Sequence, residues 1–329
     1  MMKGKFLKFY LLFAAGIISA ASVWLFLVYI LIGSPAWSDK SMHECLEKKY
    51  ELARAMTGSK IIVAGGSGAF FSVDCGMIQR ELGMPAINAA LHAGLGAEYI
   101  LHIAKTAARP GDIVVLPLEY ELYQAKLDYV YIGYVLSYDL NYFYAKSFFE
   151  KARMIMGVSN SQLLLGLYWL ALSSAPPLSQ PESETEKGGG YFDNITENGD
   201  CMVNDGVKMR DAYTSSNMLL SANSVNPKAL DLLSGFIDWC KANNVRFVAA
   251  LPALLYDDAY QSERVRENID RIIAFYKSKG VPLIGGFEEN MYSPEDMYDS
   301  IYHLNKVGRE KRTKRMINDL RPFITAAGP

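Results

Sequence analysis

Cysteine and histidine are scarce in this sequence, and neither sign of charge is in clear excess. The 329 residues include four cysteines and four histidines, and the formal net charge is -2. Cys45, Cys75, Cys201 and Cys240 show no Cys-x-x-Cys spacing, which argues against a structural zinc site. A near-neutral net charge also gives no electrostatic reason to expect nucleic acid, whose backbone would call for a basic patch. We therefore expect no metal, no cofactor and no nucleic-acid partner.

Charge is absent from one long segment near the N-terminus. Three lysines within residues 1–8 precede an uncharged apolar run over 9–33, and the next charged residue is Asp39. About 20 apolar residues cross a hydrocarbon layer as a helix, whereas the apolar part of a cleaved signal peptide is shorter. We expect an uncleaved single-pass membrane anchor over 9–33, with residues 1–8 in the cytoplasm and the remaining chain extracytoplasmic. A buried core helix is the alternative.

Short apolar strands alternate with helices in most of the remaining chain. Half of the residues are apolar, enough for a sizeable core. The pattern predicts strands at 60–64, 86–89, 112–118, 246–251 and 281–284, and helices at 41–57, 70–82, 97–108, 227–243 and 262–279. Such alternation is typical of a parallel sheet covered on both faces. We predict a three-layer, doubly wound α/β domain over 59–329, raised from the membrane by a juxtamembrane helix within 34–58.

An insertion over residues 124–224 breaks this alternation. Its first part is rich in tyrosine, and its middle, 161–172, is an apolar helix too short to span a bilayer. The stretch 173–190 is rich in Pro, Ser, Glu and Gly, which indicates a mobile loop. We expect a mostly helical insertion. Its apolar helix would pack within a subdomain, or else cover the site, lie on the membrane surface or dock on a membrane partner.

Two segments far apart in the sequence carry the candidate chemistry. Ser67 follows the apolar run 61–64 between two glycines, which allow a tight turn and leave the hydroxyl uncovered. Asp299 and His303 lie four positions apart near the end of the chain. A serine hydroxyl needs an adjacent base, and His303, oriented by Asp299, can supply it. Parallel sheets bind ligands at the carboxyl ends of their strands, so we expect both segments to meet there. A turn serine and a structural histidine are the alternative.

These segments resemble the conserved blocks of the SGNH (GDSL-type) hydrolase superfamily. Gly-Gly-Ser at 65–67 matches the first block, Asn-Ala-Ala-Leu-His-Ala-Gly at 88–94 the second, and Asp299 with His303 the last. The resemblance covers residues 60–329 apart from the insertion, and it implies a flavodoxin-like fold.

The resemblance also implies roles for individual residues. Ser67 would be the nucleophile, His303 the base and Asp299 the acid that orients it. The backbone amides of Ser67 and Gly94 would bind the oxyanion.

Three positions depart from the superfamily pattern. Gly66 stands where the first block usually has Asp, and three residues rather than two separate Asp299 from His303. Leu-Pro-Leu-Glu-Tyr at 116–120 replaces the Gly-x-Asn-Asp of the third block, which removes an oxyanion donor worth about 2.7–4 kcal/mol. Asn88 is a candidate substitute donor, and a cap or turn is its alternative role.

The anchored architecture, with Glu119-Tyr120 and His303-Leu-Asn305, is similar to a subset of this superfamily that modifies envelope polymers. The subset includes D-alanine-transfer and alginate-acetylation proteins, which work beside a membrane-bound acyltransferase. This resemblance implies an O-acyl, in particular O-acetyl, transferase or esterase that acts on an envelope or secreted polysaccharide through a serine acyl-enzyme. A membrane-bound O-acyltransferase would be its partner. The alternative is a catalytically idle SGNH-like module that binds polysaccharide or scaffolds a membrane complex, because aromatic faces such as those of the insertion suit both sugars and partners.

Overall fold

The chain divides into two compact units. The computed structural model describes residues 2–35, 38–125, 128–173, 190–201, 203–206 and 225–325. One unit, which we call the helical unit, comprises Met1–Lys40 and Tyr129–Pro181; the other, the α/β unit, comprises Ser41–Asp128 and Glu182–Pro329. The loop expected at 173–190 lies almost wholly outside the described residues.

The described elements are as follows in chain order. The helices are α1 (Met2–Leu31), α2 (Lys40–Ala55), α3 (Ser67–Ser72), α4 (Cys75–Leu82), α5 (Gly96–Ala107), α6 (Tyr129–Tyr138), α7 (Leu140–Ala145), α8 (Phe148–Met156), α9 (Asn160–Ser173), α10 (Pro227–Ala242), α11 (Glu263–Ser278) and α12 (Lys306–Thr325). The strands are β1 (Ile61–Val63), β2 (Ala86–Asn88), β3 (Ile113–Pro117), β4 (Arg246–Ala250), β5 (Leu254–Leu255), β6 (Leu283–Ile284) and β7 (Met291–Tyr292).

Five strands form the central sheet of the α/β unit, in the order β2-β1-β3-β4-β6, and every pair is parallel. Ile62 pairs in register with Ile87 on one side and Val114 on the other. The first three strands are buried along their whole length, as strands between two helical layers are. The predicted α/β class with a parallel central sheet is therefore confirmed. Each strand is shorter than predicted by one or two residues at its ends.

The strand order reverses between β1 and β3. The chain leaves β1 for β2 on one side and then places β3 on the other side of β1. At such a reversal the connections leave in opposite directions and open a crevice at the carboxyl ends of the strands, where ligands bind in open α/β sheets. Ser67 follows β1 and Glu119 follows β3, so both lie at this crevice.

Two helices, not one, follow the first strand. The prediction of a single helix over 70–82 was wrong, because Val73 is extended and Asp74 starts a new helix. The Asp74 carboxylate accepts a hydrogen bond from the Met77 amide at 2.7 Å and so caps α4. Ser67 consequently begins the short helix α3.

Helix α2 confirms the helix predicted over 41–57 and packs within the α/β unit. Its Met42, Leu46 and Ala53 are buried. Its fully buried Lys49 donates hydrogen bonds to the carbonyls of Asn88 and Ala90, at 2.9 and 2.7 Å. The helix therefore braces the loop after β2 rather than serving only as a spacer.

Helix α1 confirms the predicted apolar helix at the N-terminus. The most apolar 18 residues of its segment Phe6–Leu31 have a mean hydropathy of 2.4, and the segment is long enough to cross a membrane. Helices α8 and α9 taken together are also long and apolar enough to cross a membrane, but the chain bends by 81° between them. Among the described helices, α1 is the single straight candidate.

The four cysteines are all free and buried. The chain therefore forms its fold without a disulfide bond, and the α/β unit depends on packing and hydrogen bonds.

Candidate active site

Ser67 is the first residue of α3, directly after the glycines that end β1. Its side chain is partly exposed. Phe70 and Phe71, one turn later, are fully buried and fix the helix to the core. The serine therefore lies at the carboxyl end of β1, where the sequence placed it.

His303 and Asp299 form a hydrogen-bonded pair. Nδ1 of His303 lies 2.7 Å from Oδ1 of Asp299, and both side chains are more than four-fifths buried. The hydroxyl of Tyr191 donates a second hydrogen bond to Asp299 Oδ2. Burial opposes ionisation of Asp299, but the hydrogen bonds from His303 and Tyr191 outweigh it and lower the pKa of this carboxyl. The ionised carboxylate thus holds Nδ1, and Nε2 is the ring nitrogen left for a reacting group.

Helix α3 joins the serine segment to the histidine segment. The ring of Phe71 stacks on the imidazole of His303 with centroids 4.2 Å apart and planes within 8°. Ser72 Oγ donates to the carbonyl of Tyr302 at 3.0 Å. Ser67 and Phe71 are four residues apart, so they share one face of the helix.

The two segments, separated by more than 200 residues, therefore meet as expected. Among the described residues, however, no hydrogen bond joins the Ser67 hydroxyl to His303. The hydroxyl is left open at the mouth of the site.

Glu119 is hydrogen-bonded to the turn that carries the serine. Its Oε1 accepts a hydrogen bond from the amide of Gly68 at 2.7 Å, and its Oε2 accepts one from Gly66 at 3.0 Å. The residue is 1% exposed. Burial raises the pKa of Glu119 to about 7, although the two amide hydrogen bonds act in the opposite direction. A titratable carboxyl therefore holds both residues that flank Ser67.

Sequence reasoning did not assign a role to Glu119 or to Tyr191. Glu119 lies shortly after β3, at the position where the third block of the superfamily would stand. A carboxylate that follows a buried strand was the sequence signal that could have identified it as a site residue. Tyr191 follows a stretch of low-complexity sequence and carried no such signal.

Of the two backbone amides expected to bind an oxyanion, one already donates a hydrogen bond within the protein and the other does not. Gly94 donates its amide to Nδ1 of His92 at 2.9 Å. The amide of Ser67 has no hydrogen-bond partner among the described residues. Of these two amides, that of Ser67 is the one ready to bind an oxyanion.

The side chain of Asn88 is fully buried and supports α3. Its Nδ2 donates to the carbonyl of Val73 at 3.2 Å, with longer contacts at 3.5 Å to Ala69 and Phe70. Its Oδ1 accepts from the amide of Ala90 at 3.1 Å. This geometry favours the alternative role that the sequence left open for Asn88, which is to stabilise a turn.

A cavity of about 240 Å³ opens beside the second block. It is lined by Ala93 and Gly94 and by the polar side chains of Glu121, Gln124 and Asp128. A Cβ atom at Gly66 would lie 2.6 Å from Ala93 Cα, so the cavity wall directly adjoins the turn of Ser67. Neither Ser67 nor His303 lines the cavity itself.

No family model matches the chain, and no curated protein matches it. Within the part of the chain that the structure describes, no group of three or more His, Cys, Asp or Glu side chains could hold a metal ion. The site is thus described by its own geometry. It comprises a serine, a largely buried acid–imidazole pair, and a glycine turn whose amides donate hydrogen bonds to the Glu119 carboxyl.

Proposed function

We propose that this protein is an extracytoplasmic, membrane-anchored SGNH-like enzyme that transfers an acyl group, in particular acetyl, to or from a hydroxyl of an envelope or secreted polysaccharide. The observation that carries the proposal is the imidazole of His303, which is hydrogen-bonded to Asp299 and stacks on Phe71, one helical turn from Ser67. Such a pair, next to a partly exposed serine on a glycine turn, has the parts of an acyl-transfer site.

In the proposed reaction, Ser67 Oγ attacks the acyl carbonyl while Nε2 of His303 accepts the hydroxyl proton. The resulting oxyanion is stabilised by the amide of Ser67, and by that of Gly94 once a ligand displaces His92 from it. The tetrahedral intermediate collapses, the leaving alcohol takes the proton from His303, and an ester forms on Ser67. A sugar hydroxyl or water then gives its proton to His303 and attacks this ester. The bond from the acyl carbon to Ser67 Oγ breaks, Oγ takes the proton back from His303, and the acylated sugar or the free acid departs.

Asp299 contributes by holding the imidazole and by stabilising its protonated form. The open side of the site, with its polar cavity next to Gly94, offers room for the acceptor. A membrane-bound O-acyltransferase is the partner that would supply the acyl group, and α1 would hold the enzyme beside it.

Mass spectrometry tests the proposal on purified protein. After exposure to an activated acetyl ester, we expect an acetyl adduct on Ser67 that disappears on addition of an acceptor oligosaccharide or with time in water. Ser67→Ala and His303→Ala proteins should carry no adduct. An unmodified parent protein, or acetate release by Ser67→Ala at the parental rate, would contradict the mechanism.

A second candidate function is favoured because Gly94 and Asn88, which are expected to bind the oxyanion, already have hydrogen-bond partners within the protein. Gly94 is bonded to His92, Asn88 supports α3, and the carboxyl of Glu119 lies where the third block would supply an amide donor. A catalytically idle SGNH-like module that binds polysaccharide or scaffolds a membrane complex fits these facts. An active-serine probe separates the two functions, because labelling of Ser67 that depends on His303 contradicts an idle module.

A further inference from the structure

Helix α9 carries an apolar surface that the fold leaves uncovered. Its 14 residues include no charged side chain. Gln162, Leu163 and Gly166 face inward, whereas Leu164, Leu165 and Tyr168 are 68, 53 and 65% exposed. The outward side also includes Trp169 and Leu172. Packing within a subdomain therefore accounts for the inward side of this helix and leaves its outward side uncovered.

Helix α8 also carries exposed apolar side chains. Phe148, Phe149 and Met156 are each more than 70% exposed, and Met154 packs inward against the hydroxyl of Tyr131. We call the exposed apolar side chains of α8 and α9 the apolar platform; Glu150 and Arg153 of α8 are also exposed and do not belong to it. Soluble proteins rarely expose this many large apolar side chains on neighbouring helices. Burial of each one, relative to leaving it in water, contributes about 1.5–3 kcal/mol of favourable free energy.

The apolar platform is attached to the end of α1. Within the helical unit, α9 packs against α1. The last residues of α1 are tied to α6 as well: the Gly33 amide donates to the carbonyl of Leu136 at 2.8 Å, and Ser137 Oγ donates to the carbonyl of Ser34 at 2.7 Å. The exposed side chains of α9 thus lie on a helix that contacts the apolar helix α1 directly.

The length of α1 places this junction at the edge of a bilayer. Its 26-residue apolar segment is about 39 Å long, against a hydrocarbon core of about 30 Å. Val28 and Leu31, near its end, are each 1% exposed, whereas its earlier side chains, such as Phe13 and Ile18, are more than half exposed. One side of the final turns is therefore covered by protein, whereas Tyr29, which is 73% exposed, and the earlier side chains are free for lipid.

We propose that the apolar platform of α8 and α9 is embedded in the outer leaflet of the membrane that α1 crosses, as a second, non-spanning contact with lipid. Helix α9 is about 21 Å long and cannot span the core. Lying along the interface, its Leu, Tyr and Trp side chains enter the boundary between headgroups and acyl chains to a depth of about 5–10 Å. Tyr168 and Trp169 suit this boundary, since their rings are apolar with one polar atom.

Tryptophan fluorescence tests this proposal on the full-length protein in lipid nanodiscs. Trp24, Trp37 and Trp239 are replaced by Phe, so that Trp169 is the single reporter and the apolar platform keeps its composition. Lipids with bromine atoms near the glycerol end of the acyl chains should quench Trp169 strongly, and lipids brominated near the chain end should quench it less. Acrylamide in the water should quench it weakly.

Two matched proteins serve as controls. Trp24 alone, on α1, should be quenched by lipid bromine. A protein with all four tryptophans replaced by Phe and with Tyr256→Trp, at a site that is 50% exposed beside Asp258, should respond to acrylamide and not to lipid bromine.

Two results would overturn the proposal. Quenching of Trp169 by acrylamide without quenching by lipid bromine would show that the platform faces water. Protection from both quenchers would show that protein, such as a second copy of the chain, covers it. The proposal rests on the membrane anchoring by α1 but not on catalysis, so Ser67→Ala protein should give the same quenching as the parent.

Discussion

At the scale of single residues, Glu119 and the two glycines beside Ser67 form one unit. The carboxyl accepts both amides, and the glycines leave no room for a side chain. A Cβ atom at Gly66 would lie 2.5 Å from Glu119 Oε1, and one at Gly68 would lie 2.9 Å from the same atom. The serine turn is therefore shaped by a residue that lies more than 50 positions away in the sequence.

Gly66→Ala should destabilise the protein by about 1–3 kcal/mol, because the new methyl group overlaps Glu119 and Ala93. Gly235→Ala is the matched control. This glycine lies in α10 with no atom within 4 Å of an added Cβ, so the change should be neutral or stabilise the helix by up to about 1 kcal/mol. Chemical denaturation in detergent measures both. Equal unfolding midpoints for the two variants would show that the turn tolerates a side chain.

Glu119 should also make stability depend on pH. Its pKa is raised from 4.5 to about 7 by burial, so between these values the folded state holds a proton that the unfolded chain has released. Stability should therefore fall as pH rises through this window and stay at the lower level above it. Glu119→Gln, which cannot titrate, should flatten the melting temperature against pH.

Asp200→Asn is the control for this pH dependence. Asp200 accepts the amides of Cys75 and Gly76, and burial raises its pKa to about 6. Its substitution should remove only the part of the slope below that value. A Glu119→Gln profile that parallels the parent between pH 6 and pH 7 would assign the slope to other groups.

Asp299→Asn should reduce acyl transfer by on the order of 10⁴-fold, because an amide can stabilise the wrong tautomer of His303 and cannot balance its charge. Tyr191→Phe, which removes one hydrogen bond to Asp299, should have a much smaller effect. Single-turnover acylation of Ser67 measures both rates. An Asp299→Asn protein that acylates as fast as an active parent would remove Asp299 from the mechanism.

The residues of the site were predictable from the sequence to different degrees. The four-residue spacing of Asp299 and His303 was enough to predict their contact, because it is local. The meeting of His303 with the Ser67 helix followed from where parallel strands end. The hydrogen bonds of Glu119 to the serine turn, and those of Asn88 to α3, were not predictable. They depend on the positions of backbone amides and carbonyls in the loops, which a single sequence does not specify.

At the scale of elements, a buried ion pair joins the starts of two neighbouring strands. Lys60 Nζ lies 2.6 Å from Asp112 Oδ2, and both side chains are almost fully buried. Asp112 also accepts the backbone amides of Lys60 and Arg109 at 2.9 and 2.8 Å. The pair thus links β1, the turn at Arg109 and β3 at the end of the sheet opposite to the site.

Removing one partner of this pair should cost more than removing both. Asp112→Ala leaves the Lys60 ammonium buried without its counter-charge, and a loss of about 3–5 kcal/mol is expected. Lys60→Met combined with Asp112→Ala should restore part of that loss, because no charge then remains buried. A double-mutant cycle by denaturation measures the difference. A double variant less stable than Asp112→Ala would show that the aliphatic part of Lys60, rather than its charge, matters here.

The elements themselves were largely predictable. Runs such as 113–117 consist of consecutive apolar residues because both faces of the sheet are covered, and this pattern distinguishes them from helices. The break between α3 and α4 was missed because the apolar pattern continues across it. Its cause is the capping preference of Asp74, a local effect that competes with helical periodicity.

At the scale of the whole molecule, the sequence predicts which side of a membrane each end would occupy. The lysines before α1 should remain in the cytoplasm, so alkaline phosphatase fused after residue 325 should be active in a bacterial host, since this enzyme needs an oxidising compartment for its disulfides. The same enzyme fused at the N-terminus should be inactive. The opposite pattern would reverse the proposed orientation and place the site in the cytoplasm.

The helix of Ser67 is fastened by residues near the other end of the chain. Ser72 Oγ bonds to the carbonyl of Tyr302, and the Asp74 amide bonds to Thr313 Oγ1 at 3.0 Å. Met316 and Leu320 complete the apolar cluster around Phe70. A nascent polypeptide therefore cannot hold this helix in its final place until the ribosome has translated almost the entire message. Products of premature termination would contain α1 and the Ser67 segment but lack the contacts that fasten that segment.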